Sequence, residues 1–287
     1  MQKPWHEQRV TLPGRGSVVV REWPGPQGAP VLVLLHGVAM NVEINWSLAA
    51  PALASRYRVL ALDLRGHGRG LPVTGAFRLE DCADDVAAVL LTLGTGPVIP
   101  VGFSIGGMVA QLLWRRHRDL VAGLVLCSTA RNVTGSPWER VLAMAMPWAV
   151  VTASWFAPFS PIGTDAIAGP LLDGSLAPTQ RRAALAHMRR VPLATALDAM
   201  RAACGFSSHS WIGGVDVPTA VVLTRHDRIV APKRQHKLAA AVSGAVVVEI
   251  EGDHGVFLAD PNGFVDGLRQ ACAAVTLPVA PTSTTAA

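Results

Sequence analysis

A serine set among glycines, a histidine near the end of the chain and an aspartate between them could together do nucleophilic chemistry. The segment Pro97-Val98-Ile99-Pro100-Val101-Gly102-Phe103-Ser104-Ile105-Gly106-Gly107 places the serine at the end of an apolar run. This is the G-x-S-x-G arrangement of a sharp strand-to-helix turn, whose central residue is backbone-strained, so Gly102 and Gly106 must be nearly free of side-chain bulk. Ser104 would then project from the sheet edge. The N–H of Ile105 would open the next helix, where an orphan amide and the positive dipole end can stabilise a developing oxyanion. Glycine-flanked serines also occur in ordinary turns. The preceding strand and the apolar periodic segment Met108 to Trp114 give this one its weight.

A serine hydroxyl is a poor nucleophile until a base takes its proton, and a carboxylate usually orients that base. The run Ala245 to Ile250 leads into Glu251-Gly252-Asp253-His254-Gly255, which puts His254 on a loop after the last strand with glycines beside it. Of the other histidines, His6, His117, His187, His209 and His236 fall in the amino-terminal segment, in helices or in an inserted region, where a solvent-facing role is expected. His36 and His67 lie in glycine-containing loops after strands and suit structural hydrogen bonds at the rim of a site. For the acid, Val217 to Thr224 ends in Arg225-His226-Asp227-Arg228, so Asp227 follows the penultimate strand, and the order Ser104, Asp227, His254 is serine, acid, histidine. Asp253 adjoins His254, but neighbours on a loop usually point apart, and Glu249 and Glu251 belong to the strand or its end. A turn-capping Asp227 paired with Arg225 or Arg228 is the plainer alternative. A second oxyanion donor is expected from Leu35-His36-Gly37-Val38-Ala39-Met40, where the N–H of Val38 would sit beside that of Ile105.

These residues need a scaffold that brings strand ends together. Arg9 to Leu12 and Ser17 to Glu22, separated by Pro13-Gly14-Arg15-Gly16, predict a hairpin. Val31 to Leu35, Arg58 to Leu62, Pro97 to Val101, Leu120 to Cys127, Val217 to Thr224 and Ala245 to Ile250 read as strands buried on both faces. Helical candidates at Leu79 to Leu93, Met108 to His117 and Ala231 to Val242 alternate with them, which predicts a doubly wound α/β sheet. From about Ser128 to Gly214 no strong strand signal appears. That is too long for an ordinary connection, so residues 129–214 are expected to form an inserted helical cap over the strand ends, on a core of residues 1–128 and 215–275. Residues 276–287, rich in Pro, Thr and Ala, read as a disordered tail.

Composition narrows the function classes. The chain has 287 residues, half of them apolar, enough for a large core. Its 25 basic and 20 acidic residues give +5, but the arginines are scattered, which disfavours a nucleic-acid partner. The four cysteines, Cys82, Cys127, Cys204 and Cys272, form no C-x-x-C pair, so neither zinc nor a disulfide framework is expected. The amino terminus lacks the apolar core of a signal peptide, which makes a cytoplasmic protein the default expectation. Val141 to Pro161 is uncharged and apolar, but Pro147, Pro158 and Pro161 interrupt it, so a buried or ligand-facing helix pair is expected rather than a membrane span. Peripheral lipid contact stays open, as does the choice between monomer and homodimer.

With its motifs in this order, the chain resembles the α/β-hydrolase fold family over roughly residues 9 to 275. The resemblance rests on His36-Gly37, Asp63-Leu64-Arg65-Gly66-His67-Gly68, Gly102-Phe103-Ser104-Ile105-Gly106-Gly107, the Asp227 loop and Gly252-Asp253-His254. It implies a mostly parallel eight-stranded sheet flanked by helices, with an inserted cap. It also implies the triad Ser104, Asp227 and His254 with an acyl-enzyme intermediate, and neither metal nor organic cofactor. The Asp63 to Gly68 loop is read as scaffold. The expected substrate is a small hydrophobic carboxylic ester or thioester, since Trp138, Met144, Met146, Trp148, Trp155, Phe156 and Phe159 could line an acyl pocket. His36 and Phe103 are further pocket candidates. A carbon–carbon bond hydrolase, a cofactor-free perhydrolase or haloperoxidase, or an acyltransferase could use the same triad, and a non-catalytic small-molecule receptor is the alternative of another class. Haloalkane dehalogenases and epoxide hydrolases are disfavoured, because they carry an aspartate where Ser104 stands.

Overall fold

The computed structural model describes residues 5–135 and 176–276, together with the single residues 138, 141, 145 and 172. Eight strands form one sheet: β1 (His6–Leu12), β2 (Gly16–Trp23), β3 (Val31–Leu35), β4 (Arg58–Leu62), β5 (Ile99–Phe103), β6 (Leu124–Cys127), β7 (Thr219–Thr224) and β8 (Val246–Ile250). Their order is β1-β2-β4-β3-β5-β6-β7-β8. The β1–β2 and β2–β4 pairs are antiparallel and all the others parallel. The expected mostly parallel eight-stranded sheet is therefore present. Unbroken apolar runs make its centre: β5, β6 and β7 are buried at every position, because helices cover both faces of a parallel sheet.

Between the strands run α1 (Val42–Trp46), α2 (Ala49–Leu53), α3 (Leu79–Leu93) and α4 (Ile105–Arg116). Farther along come α5 (Pro178–Met188), α6 (Leu193–Gly205), α7 (Pro232–Ala239), α8 (Val256–Ala259) and α9 (Pro261–Thr276). Leu79, Ala83, Val86, Ala87 and Leu90 of α3 recur at helical spacing and are buried, and the helix stops at Gly94, whose φ of 59° permits the left-handed turn. Its aspartate Asp85 accepts two hydrogen bonds from Arg65, at 2.9 and 2.7 Å, and one from Arg15 at 2.9 Å. That ties α3 to the hairpin turn and to the loop after β4.

The boundaries correct the sequence reading in places. β5 starts at Ile99 rather than Pro97 and runs through Phe103, so the strand reaches the residue before Ser104. β6 is limited to Leu124–Cys127 instead of beginning at Leu120, because Arg118–Leu120 wind into a 3-10 turn and Val121 makes only an isolated bridge to Val98. α4 begins at Ile105, where the G-x-S-x-G turn placed the opening of the helix; apolar periodicity marks it only from Met108, because the glycines at 106 and 107 carry no apolar signal. All four cysteines are free, with Cys82, Cys127 and Cys272 buried.

Residues 129–214 separate β6 from β7, and no strand occurs in their described part. The outgoing and returning chains are fastened together at their base. Ser208 donates its N–H to the Arg131 carbonyl at 2.8 Å, Thr134 Oγ1 donates to the Cys204 carbonyl at 2.9 Å, and the Ser208 hydroxyl reaches Gln111 of α4 at 2.7 Å. Apart from Val141, Ala145 and the exposed Trp138, the apolar region from Trp138 to Pro161 lies outside the described residues. Among the described residues no helix is long and apolar enough to cross a membrane.

Candidate active site

Ser104 occupies the turn between β5 and α4 with φ 53° and ψ −118°, a region that non-glycine residues rarely adopt. Its surroundings hold it there. Its N–H donates to the Cys127 carbonyl at 2.9 Å, and its own carbonyl accepts from Gly107 N–H at 3.0 Å and from the Thr129 hydroxyl at 2.7 Å. Both flanking glycines are sterically required, as their pattern predicted. A Cβ at Gly102 would strike the Gly106 carbonyl, and one at Gly106 would strike the carbonyl of Leu35 on β3. The turn is thus pressed against the neighbouring strand, and Ser104 stands at the carboxyl end of the sheet's central strand.

The histidine and aspartate arrive from the loops after β8 and β7. His254 Nε2 lies 3.0 Å from Ser104 Oγ, and His254 Nδ1 lies 2.9 Å from Asp227 Oδ2. Both partners of the second contact are almost wholly shielded from solvent. Asp227 is satisfied on all sides: Oδ1 accepts the N–H groups of Ile229 and Val230 at 2.9 and 2.7 Å. Oδ2 accepts the Thr224 hydroxyl at 2.8 Å and Gln235 Nε2 at 3.2 Å in addition to the imidazole. These donors fix the carboxylate in place with Oδ2 against His254 Nδ1, an arrangement that suits the Nδ1–H tautomer and turns Nε2 toward Ser104 Oγ. The turn-capping alternative for Asp227 is partly met, since it does cap its own loop, but its free face is turned to His254 rather than to Arg225 or Arg228.

Asp253 serves these loops differently. Oδ1 accepts the N–H of Arg228 at 2.9 Å and that of His254 at 2.7 Å, while Oδ2 pairs with the Arg228 guanidinium. Burial alone would raise the Asp253 pKa, but these donors and the Arg228 charge bring it below its ordinary value. Asp253 therefore locks the aspartate and histidine loops together, its carboxylate bound to Arg228 and the His254 amide rather than to the His254 ring.

The loop after β3 faces the elbow. Val38 is buried there, and among the described residues no protein acceptor takes its N–H. Ile105 is the first residue of α4, so its N–H has no intrahelical partner. His36 and Phe103, expected on a pocket wall, are instead completely buried. His36 donates from Nδ1 to the Gly37 carbonyl at 2.8 Å and accepts the Leu64 N–H on Nε2 at 2.9 Å. Phe103 packs beneath the triad, 5.1 Å from the His254 ring and 5.2 Å from that of Phe257. Their total burial gives both a supporting place rather than a substrate-facing one. Met144, Trp148, Trp155, Phe156 and Phe159 lie outside the described residues, as does Met146.

Thr129, Thr224 and Gln235 escaped the sequence reading as parts of the site, and Asp253 figures there only as a rival acid. Gln235 offered no spacing signal, because its contact with Asp227 exists only once α7 docks beside the loop it follows. Of the histidines expected at the surface, His117 is half-buried against Asp84 at 2.8 Å, and His187 has a buried Nδ1 without a hydrogen-bond partner.

Comparison with known proteins agrees with this fold. The sequence pattern of the alpha/beta hydrolase fold matches residues 30–153. A bifunctional esterase/perhydrolase of Acinetobacter calcoaceticus is 37% identical over 45% of this chain and 50% of its own length. A pimeloyl-[acyl-carrier protein] methyl ester esterase of Chromobacterium violaceum is 28% identical over 84% of this chain and 93% of its own. The chain spans no more than half the length of the curated relatives it matches at 37% identity or above. A thermophilic esterase of Thermogutta terrifontis superimposes with a TM-score of 0.78 at 24% identity, covering 95% of this chain and all of that one. A sequence match over residues 30–153 and a fold shared from end to end lead to one conclusion: the chain has the α/β-hydrolase fold.

Proposed function

We propose that this protein is a serine hydrolase that cleaves a carboxylic ester or thioester with a hydrophobic acyl or alcohol part. The observation that carries the reading is the continuous relay from Ser104 Oγ to His254 at 3.0 Å and on to Asp227 at 2.9 Å, in a buried site. His254 takes the serine proton as Oγ attacks the carbonyl carbon, and Asp227 stabilises the imidazolium that forms. The N–H groups of Val38 and Ile105 receive the oxyanion, whose stabilisation is usually the largest single contribution to such catalysis. The imidazolium then protonates the leaving alcohol or thiol. Water, deprotonated by His254, releases the acid and regenerates Ser104.

Residues 129–214 would form the cap of this site. Support comes from their insertion between β6 and β7 at the carboxyl end of the sheet and from α6, where Asp198 accepts the Phe77 N–H at 2.5 Å. Free, buried thiols at Cys82, Cys127 and Cys272 fit a reducing compartment such as the cytoplasm. The name of the Acinetobacter relative favours one further outcome of the same acyl-enzyme: hydrogen peroxide replacing water and yielding a peracid.

A fluorophosphonate probe tests the proposal. The wild type should label and Ser104→Ala should not; an unlabelled wild type, or equal labelling of both, refutes it. A p-nitrophenyl ester series of rising acyl length should show a rate maximum, and a flat series would argue against a hydrophobic acyl pocket.

A further inference from the structure

The loop that carries Val38 is held by side chains on both sides of that residue. Gly37 donates its N–H to Asn45 Oδ1 at 3.0 Å, and Ala39 donates its N–H to His67 Nε2 at 3.2 Å. Two further amides are taken: Met40 N–H by the Gly37 carbonyl at 3.3 Å and Val42 N–H by Asp63 Oδ1 at 2.8 Å. From Gly37 to Met40, Val38 alone keeps its N–H without a protein acceptor among the described residues. Ala39 has φ 56°, so the chain turns abruptly where His67 grips it.

His67 can accept because of its tautomer. Its Nδ1 lies 2.9 Å from the Arg65 carbonyl, an acceptor only, so Nδ1 carries the proton and Nε2 presents a lone pair to Ala39. The ring is buried, 5.2 Å from His36 and edge-on to Phe77 at 6.0 Å. His36 reaches in the opposite direction, from the loop after β3 to the N–H of Leu64. The two neutral imidazoles therefore cross-link the loops after β3 and β4 reciprocally.

From this arrangement we propose that His67 and Asn45 are positioning residues of the oxyanion hole. By occupying the amides on either side, they aim the free N–H of Val38 at the reacting carbonyl oxygen. The loop from Asp63 to Gly68 thereby enters catalysis through its backbone grip and is more than scaffold. This inference rests on the serine-hydrolase reading, but its first consequence, the hold on Ala39, exists whether or not the protein turns over an ester.

The test uses the full chain with His67→Leu, His67→Gln and Asn45→Leu. Hydrogen exchange of the Ala39 amide, read by NMR, should be slow in the wild type, at least 10-fold faster in His67→Leu, and slow again in His67→Gln, whose amide oxygen can replace the imidazole acceptor. In p-nitrophenyl ester hydrolysis, His67→Leu and Asn45→Leu should lower kcat by about 10- to 100-fold with KM within about twofold, since displacing one oxyanion donor weakens transition-state binding selectively. His67→Gln should recover most of that loss. Unchanged Ala39 exchange in His67→Leu overturns the inference, as does a kcat equal to wild type in both leucine variants or a failure of His67→Gln to rescue a folded protein. A wild type inert to esters and to fluorophosphonate would instead sink the hydrolase reading, with the Ala39 exchange still deciding whether His67 holds the loop.

Discussion

Lowering the pH from 7 to 5 should destabilise the fold by about 2 kcal/mol through His67 alone. Burial, reinforced by the neighbouring His36, brings the native His67 pKa down from 6.5 to about 3. Between pH 7 and 5 an unfolded imidazole passes from about one-quarter to almost fully protonated, whereas the native ring stays neutral. The unfolded state therefore gains about 25-fold in population, or about 2 kcal/mol. The sign follows: stability is fully present above the unfolded pKa of 6.5 and falls with pH until the native ring titrates near 3. His36 acts in the same direction, since burial lowers its pKa against the opposing effects of Asp63 and the Gly37 carbonyl. Carboxylates interfere little in this window. Glu7, held at about 2 by hydrogen bonds from Arg69 first and then Trp5 and Arg21 against the cost of burial, loses its contribution only as the pH falls below its unfolded 4.5. Urea unfolding of the wild type and His67→Gln at both pH values isolates the effect. The loss should be about 2 kcal/mol smaller in the variant, because glutamine does not titrate. Equal losses in the two proteins would refute a neutral, buried His67.

Other consequences can be measured alongside. Gly102→Ala should cost more than about 2 kcal/mol in thermal or urea unfolding, because the new methyl meets the backbone of Gly106 and Gly107 rather than a movable side chain. Asp85→Ala should cost about 2 kcal/mol by the same assay, since it leaves the half-buried Arg65 guanidinium without its two-point carboxylate partner. Thr224→Val removes the hydroxyl that donates to Asp227 Oδ2 and should lower kcat on p-nitrophenyl esters severalfold, because the carboxylate facing His254 loses one of its ties; an unchanged kcat would contradict the assigned hydrogen bond.

Much of this arrangement was legible in one dimension because local rules govern it. Unbroken apolar runs such as Val31 to Leu35 revealed buried parallel strands, and glycines at 102 and 106 revealed a turn with no room for side chains. The order Ser104, Asp227, His254 followed from where each residue sits relative to its strand. Boundaries were less legible. Leu120 and Val121 look like strand residues, but a 3-10 turn claims the first and a single bridge the second, because the register with β5 begins only at Val125.

The sequence alone determined which side chains could react and on which strand ends they stand, since hydrophobic periodicity and glycine placement are properties of adjacent residues. Tertiary structure decided what each polar group near the reaction does. His36 and His67 share a residue type and a loop setting with His254, and 28 residues separate Ala39 from the His67 ring that takes its N–H. Only the docking of the β3 and β4 loops leaves His36 and His67 neutral and buried as struts, while His254, on the loop after β8, keeps one nitrogen for Ser104. A hydrogen bond between residues distant in the chain depends on the packing of whole elements, and no local pattern records it.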